Sequence, residues 1–314
     1  ELPHLNNTTV QKENMIILVI AYFRSGSSLV GKLLSQHPRT FYHFEPLYFY
    51  ALAKAARSVN ITEGLNTMSN ILRCDFTHAP DYLQKGKAFI HPFVSNRFLW
   101  SYCKGVPEFC FQPDVISQAC KTSHLQVMKL IRLSLRQAHA WLKANQDIFR
   151  NVTMVHLVRD PRGIWSSRLR RPGCLQSTGC RSVETLCKEM REDIGEFEAI
   201  RRAFPDKIVK VRYEDVALSP VKKVKELYHR LRLNFTRRVS RFIDTHMTNT
   251  RERGQRHAYS TIRNSVRTAL LWRSRLNFSE VLMVQSACPD VFLRLEYPIV
   301  TSEMELNNNL ANYL

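Results

Sequence analysis

The chain has 314 residues, 44% of them hydrophobic, which suits one large domain or two small ones with a real core. Glycine (10) and proline (13) are too sparse for a collagenous or disordered chain. Lys and Arg number 46 against 27 Asp and Glu, a net charge of +19 that points to an anionic partner: nucleotide, nucleic acid, acidic glycan or membrane face.

Residues 1–14 are polar and read as a loose lead-in. Met15–Tyr22 (MIILVIAY) is a continuous apolar run, as expected of a parallel strand covered on both faces, and is too short to span a bilayer. A turn, RSGSS, follows, and from Ser27 or Ser28 as N-cap the positions Leu29, Val30, Leu33 and Leu34 recur at helical spacing until His37-Pro38 stops them. Thr40–Phe44 reads as a short strand ending in Glu45-Pro46. Residues 47–120 read as a largely helical cap or insertion holding four cysteines. Strands are then expected at Leu125–Leu133, Val152–Val158 and Lys207–Tyr213, with helices at Ser134–Ile148 and Ser182–Phe204 between them. Strands alternating with helices imply an α/β fold with a central parallel sheet flanked by helices in a single domain over 15–300, the ligand site lying at the carboxyl ends of the strands. Residues 230–275 carry twelve arginines and no lysine against Asp244 and Glu252, and 301–314 form a tail. Arginine-only usage suits bidentate recognition of phosphate or sulfate, although a solvated basic face explains part of it.

The eight cysteines, Cys74, Cys103, Cys110, Cys120, Cys174, Cys180, Cys187 and Cys288, are even in number and contain no C-x-x-C pair. N-x-S/T sequons stand at Asn6, Asn7, Asn60, Asn151, Asn234 and Asn277, Asn151 being the weakest because it abuts a buried strand. Together they point to a secretory lumen, where disulfides persist, the alternative being reduced core cysteines and accidental sequons. Their pairing stays open. The sequence begins without methionine or a signal-like region, as a processed or trimmed product would.

Two motifs carry chemistry. Arg24-Ser25-Gly26-Ser27-Ser28 lies between a buried strand and a helix, where unpaired N–H groups, the helix dipole, hydroxyls and a guanidinium suit a phosphate; an ordinary serine-capped turn is the alternative. Gly26-x-x-x-x-Gly31-Lys32 nearly spells a Walker A loop. Leu33, however, replaces the Ser or Thr that magnesium needs, and Lys32 falls on a solvated helix face. The second motif is LVRDPRGIWSS (Leu157–Ser167), again strand, turn and helix, with Arg159 and Ser167 able to face one anion; the alternative is that Asp160 simply caps the helix over Arg162.

In this order, RSGSS, His-Pro, Glu-Pro, LVRDPRGIWSS and VRYED (211–215) resemble the Golgi carbohydrate sulfotransferases, from about residue 15 to 298. The likeness is to the branch acting on the 6-hydroxyl of galactose, N-acetylgalactosamine or N-acetylglucosamine. It implies a P-loop-like sulfotransferase fold that binds 3′-phosphoadenosine 5′-phosphosulfate without metal, behind an N-terminal membrane anchor absent here, acting in the Golgi lumen on a glycan or glycosaminoglycan and not on nucleic acid. Under it, Arg24, Ser25, Gly26, Ser27 and Ser28 hold the 5′-phosphosulfate, with Arg24 at the leaving oxygen, and Arg159 and Ser167 hold the 3′-phosphate. Glu45 becomes the general base, against the alternatives that it is a salt-bridged carboxylate or that His43 is the base. Lys129 and Arg132 face the sulfuryl group or an acidic sugar, or merely neutralise carboxylates. Ser260–Ser265 and Trp272-Arg273 resemble the family's C-terminal stretch, with Arg263 closing over the nucleotide, while Tyr213-Glu214-Asp215 reads as a structural network. Phe23 and the aromatic run Tyr48–Tyr50 depart from the pattern beside the acceptor groove, so Tyr48 is an acceptor-binding candidate. The basic segment 230–275, with Arg168, Arg170 and Arg171, is expected to steer an anionic polysaccharide. A non-catalytic heparin or glycan binder, and a nucleotide kinase, are the rival readings.

Overall fold

The computed structural model describes residues 14–51, 57, 61–175, 177–248 and 261–307. Most of the lead-in, the sequons at Asn6, Asn7 and Asn60, the residues Arg251, Glu252, Arg253, Arg256 and Ser260, and the tail from 308 lie outside them.

Five parallel strands form one sheet: β1 (Met15–Ala21), β2 (Thr40–Phe44), β3 (Leu125–Leu130), β4 (Val152–Val158) and β5 (Ile208–Arg212), in the order β2-β3-β1-β4-β5. The continuous apolar run of β1 has the expected cause, because Ile16, Leu18 and Ile20 bury one face of the strand while Ile17, Val19 and Ala21 bury the other. On the first face pack the helices of the 47–120 segment together with Leu135–Ala144 and the end of Val183–Ala203. On the second lie α1 (Ser27–Leu34) and the helices Tyr213–Leu218, Pro220–Arg230 and Arg237–Ile243.

The order of strands fixes where a ligand can enter. After β1 the chain turns towards β2 through α1 on one face, and after β4 it turns towards β5 through helices on the opposite face. The two connections diverge from neighbouring strands and open a crevice at their carboxyl ends, the switch point of an α/β sheet.

Three boundaries differ from expectation. α1 is capped by neither serine. Gly26, left-handed at φ 92°, stands at its N-cap. β3 ends at Leu130 instead of 133, so Arg132 lies in a bend beyond the strand. The helix expected over 134–148 breaks at Asn145 and restarts as Gln146–Asn151. All eight cysteines pair: Cys74–Cys120 and Cys103–Cys110 inside the inserted segment, Cys174–Cys180 across a short loop, and Cys187–Cys288 between the long helix Val183–Ala203 and the C-terminal helices. Of the described sequons, Asn234 and Asn277 are exposed and Asn151 is half-buried. Among the described residues no helix is long and apolar enough to cross a membrane.

Candidate active site

Both motif loops open into one pocket. Arg24, Gly26, Ser27 and Ser28 line it from the end of β1, Arg159, Gly163, Ser166 and Ser167 from the end of β4, and Arg263, Thr268 and Arg275 from the C-terminal segment. The loops touch directly. Arg24 Nε donates to Ser167 Oγ at 3.0 Å, and Arg159 Nη1 donates to the Arg24 carbonyl at 3.0 Å. A second nitrogen of Arg159 donates to the Thr268 carbonyl at 3.0 Å, while its Nε is buried against Gly163 and makes no hydrogen bond.

Gly26 is required twice. Its positive φ disfavours any side chain, and a Cβ there would overlap the ring of Tyr213, with Cε2 2.6 Å away. Tyr213 is a buried wedge between the loops, with the Arg159 guanidinium 4.5 Å over its ring. Sequence reasoning saw this tyrosine only as part of a strand-end network; a glycine at the loop-to-helix junction was the one clue that something approaches closely. Its neighbour Glu214 fits the network reading. It is buried, accepts from the Asp160 N–H at 3.1 Å and from the Tyr297 hydroxyl at 2.8 Å, and burial, helped by Asp160, pushes its carboxyl up to about 7. Asp160 itself caps the helix Pro161–Arg168 and grips the Arg162 guanidinium at 2.7 Å, as the second motif allowed.

Other expected site residues sit elsewhere. Ser25 is fully buried and its hydroxyl and N–H are both spent on the Tyr22 carbonyl, at 2.8 and 3.1 Å, so it closes the turn and does not face the pocket. Arg168 is only 3% exposed, with Nε donating to the Phe23 carbonyl at 3.2 Å, so it cannot steer a polymer from the surface; Arg170 is exposed. Arg273 is buried and buttresses the carbonyls of Glu305 and Leu306, whereas Arg275, which the motif comparison passed over, lines the pocket. Lys32 is half-buried on α1, outside the pocket, where burial and Arg97 hold its ammonium below the usual range.

Glu45 enters the pocket from the end of β2 with a left-handed backbone, φ 49°, and is 7% exposed. Its carboxylate pairs with Lys129 on one oxygen and Arg132 on the other. Burial alone would raise this carboxyl; the two cations outweigh it and hold Glu45 below the usual carboxylate range. Lys129 also lies 3.4 Å from Ser28 Oγ and lines the pocket, so Glu45, Lys129 and the phosphate-type loop share one corner. Arg132 lies over the Tyr48 ring at 5.3 Å, and Tyr48 stacks on Phe89 at 5.4 Å beside that corner. His43 faces away. It bonds Gln126 at 3.0 Å, burial lowers its pKa to about 4, and it does not line the pocket.

Electrostatically the pocket is set for anions. Arg24, Lys129, Arg159, Arg263 and Arg275 line it, and Glu45 is the one acid among the described lining residues. Burial, then the guanidiniums of Arg170, Arg263, Arg159 and Arg171, push Arg275 below its ordinary range, a sign of positive potential that nearby carboxylates do not cancel. The first-turn N–H groups of α1 open at the same place. Among the described residues no cluster of His, Cys, Asp or Glu could hold a metal ion.

A family model described as "Sulfotransferase family" matches residues 17–237. "Carbohydrate sulfotransferase 1" of Rattus norvegicus is 28% identical over 93% of this chain and 81% of its own length. Two solved structures share the fold: the sulfotransferase domain of the Synechococcus PCC 7002 olefin synthase, with a TM-score of 0.54 at 18% identity over 91% of this chain and 96% of that one, and the sulfotransferase domain of the curacin biosynthetic pathway, at 0.53 and 16% over 91% and 99%.

Proposed function

The chain belongs to the sulfotransferase family, and from that premise we propose that it transfers a sulfuryl group from 3′-phosphoadenosine 5′-phosphosulfate to a sugar hydroxyl, the 6-hydroxyl of galactose, N-acetylgalactosamine or N-acetylglucosamine in a glycan. The observation that carries the cofactor is the meeting of two anion cradles in one pocket, bridged by the Arg24–Ser167 hydrogen bond. A nucleotide with negative groups at both ends needs two such cradles facing one another, and a lone phosphate needs one. Support for the sugar comes from the carbohydrate sulfotransferase relatives, and support for the Golgi lumen from four disulfides among the described residues.

The donor set fits the nucleotide: five cations line the pocket, α1 presents its N-terminus, and Gly26 and Gly163 leave room for Tyr213 and Arg159 to pack against the two loops. Arg24 and α1 would hold the 5′ end, Arg159 and Ser167 the 3′ end, with Arg263 and Arg275 on the facing wall. Bound there, the phosphosulfate supplies an activated sulfuryl group. Arg24 and the N–H groups of α1 would stabilise charge growing on the leaving oxygen, as an oxyanion hole does. Glu45, kept ionised by Lys129 and Arg132, would take the proton of the attacking hydroxyl. The same ion pairs position Lys129 near Ser28, where it can meet negative charge on the transferring group.

Thermal unfolding with and without 3′,5′-bisphosphoadenosine, alongside transfer of labelled sulfate to desulfated glycans, tests this reading. A hundredfold excess over Kd should stabilise the protein by about 2.7 kcal/mol. Absence of any shift, or a shift only with ATP and magnesium, would overturn it in favour of a plain glycan binder or a kinase.

A further inference from the structure

Beyond the pocket lies a second, basic groove. Arg97 lines it from the inserted segment, and Arg237, Arg238 and Arg241 from the helix Arg237–Ile243. These four guanidiniums come from parts of the chain some 140 residues apart in sequence, yet they line one groove, with no carboxylate among its described lining residues. Among the described residues none of the four has a salt-bridge partner; Arg97 bonds the Gln36 amide oxygen at 3.2 Å. Bringing like charges together costs energy unless an anion is meant to lie between them. All four are exposed, so they are not bound into the core.

The groove joins the pocket. His246, on the π-turn Asp244–Thr248 that prolongs the arginine helix, lines both cavities. Its ring stacks on Phe242 at 4.0 Å and 15°, and Phe242 also lines the groove, so aromatic rings and arginines share the lining there. Apolar ring faces beside guanidiniums suit a chain that alternates C–H-rich rings with sulfate or carboxylate groups.

We propose that this groove holds an anionic stretch of the acceptor polysaccharide, sulfated or uronate-bearing, and so feeds a distal sugar into the pocket past His246. The occupant's identity rests on the sulfotransferase reading, whereas the anion site rests on the arginines alone. Held so, the polymer gains affinity from charge contacts outside the pocket, and a short neutral acceptor gains nothing.

The test uses the full chain with Arg237→Ala/Arg241→Ala and, separately, Arg97→Ala, both at exposed positions. A size-defined heparin oligosaccharide is the binding probe, at about 0.15 M salt. The double variant should bind it about tenfold more weakly, the sum of two exposed charge contacts, with a shallower salt dependence. KM for a long anionic acceptor should rise by a similar factor at unchanged kcat, while kcat/KM for an uncharged disaccharide and the thermal shift with bisphosphoadenosine stay as in the parent. Unchanged heparin affinity and unchanged KM would overturn the proposal. A single-stranded oligodeoxynucleotide held as tightly through the same arginines would overturn the polysaccharide assignment. Groove-dependent heparin binding in a parent that transfers no sulfate would support the groove and remove the enzymatic reading, so the two fail separately.

Discussion

Replacing Gly26 by alanine should reveal how the two anion loops are locked together. The new methyl group meets two penalties. A non-glycine residue at φ 92° costs about 1–2 kcal/mol, and the Cβ would press into the Tyr213 ring, with Cε2 at 2.6 Å and Cγ at 3.2 Å. That ring cannot swing away, being buried and covered by Arg159, so overpacking adds about 1–3 kcal/mol. A total of about 2–5 kcal/mol corresponds to a fall in Tm on the order of 5 °C for a chain of this size. Calorimetry of Gly26→Ala, Tyr213→Ala and the double variant separates the penalties, because without the ring only the backbone cost should remain. The coupling should therefore be about 1–3 kcal/mol. If Gly26→Ala costs the same with and without Tyr213, the wedge is not what demands glycine, and the reasoning fails.

Glu45→Gln should abolish most turnover in the sulfate-transfer assay while leaving the affinity for bisphosphoadenosine nearly intact, and it should also lower Tm because Lys129 and Arg132 lose a buried partner; full activity would discard the proposed base. Arg159→Ala should weaken nucleotide binding roughly tenfold or more, read by calorimetric titration, since it removes a guanidinium from the pocket and its hold on the carbonyls of Arg24 and Thr268. Glu214 has a folded-state pKa of about 7, above its ordinary 4.5, so its contribution to stability is complete below about pH 4.5 and is lost as pH rises through 7. Denaturation at pH 5 and pH 8 should accordingly show Glu214→Gln gaining on the parent at the higher pH. His43 and His156, both lowered to about 4 chiefly by burial, act in the opposite sense by losing stability below about pH 6.5, which is why the comparison must be between variant and parent.

How much could be read beforehand depended on how local the signal was. β1, β2 and β4 were legible to within a residue, because strands covered on both faces must be apolar throughout, and a His-Pro or Asp-Pro step marks the turn. The cap of α1 was misplaced because two serines advertise a cap more loudly than a glycine does, although only glycine tolerates the left-handed geometry used. Arg168, expected at the surface, is buried, and Arg275, for which no role of its own was foreseen, lines the pocket, since which guanidinium is buried depends on elements packed from far along the chain. The same holds for Arg57, whose 2.7 Å pair with Asp193 and position over the Tyr22 ring, just past β1, leave no trace in local sequence. The two motif loops, by contrast, were legible as separate anion sites, Arg24 in one and Arg159 with Ser167 in the other, and they meet through the Arg24–Ser167 hydrogen bond because they follow adjacent strands.

The Cys187–Cys288 link joins two positions 101 residues apart, on either side of the segment that carries Arg263, Thr268 and Arg275. One backbone scission anywhere between those cysteines would therefore yield a nicked molecule still in one covalent body, with both walls of the crevice retained. Such a molecule should migrate as a single band on a denaturing gel and divide only when a reductant is added.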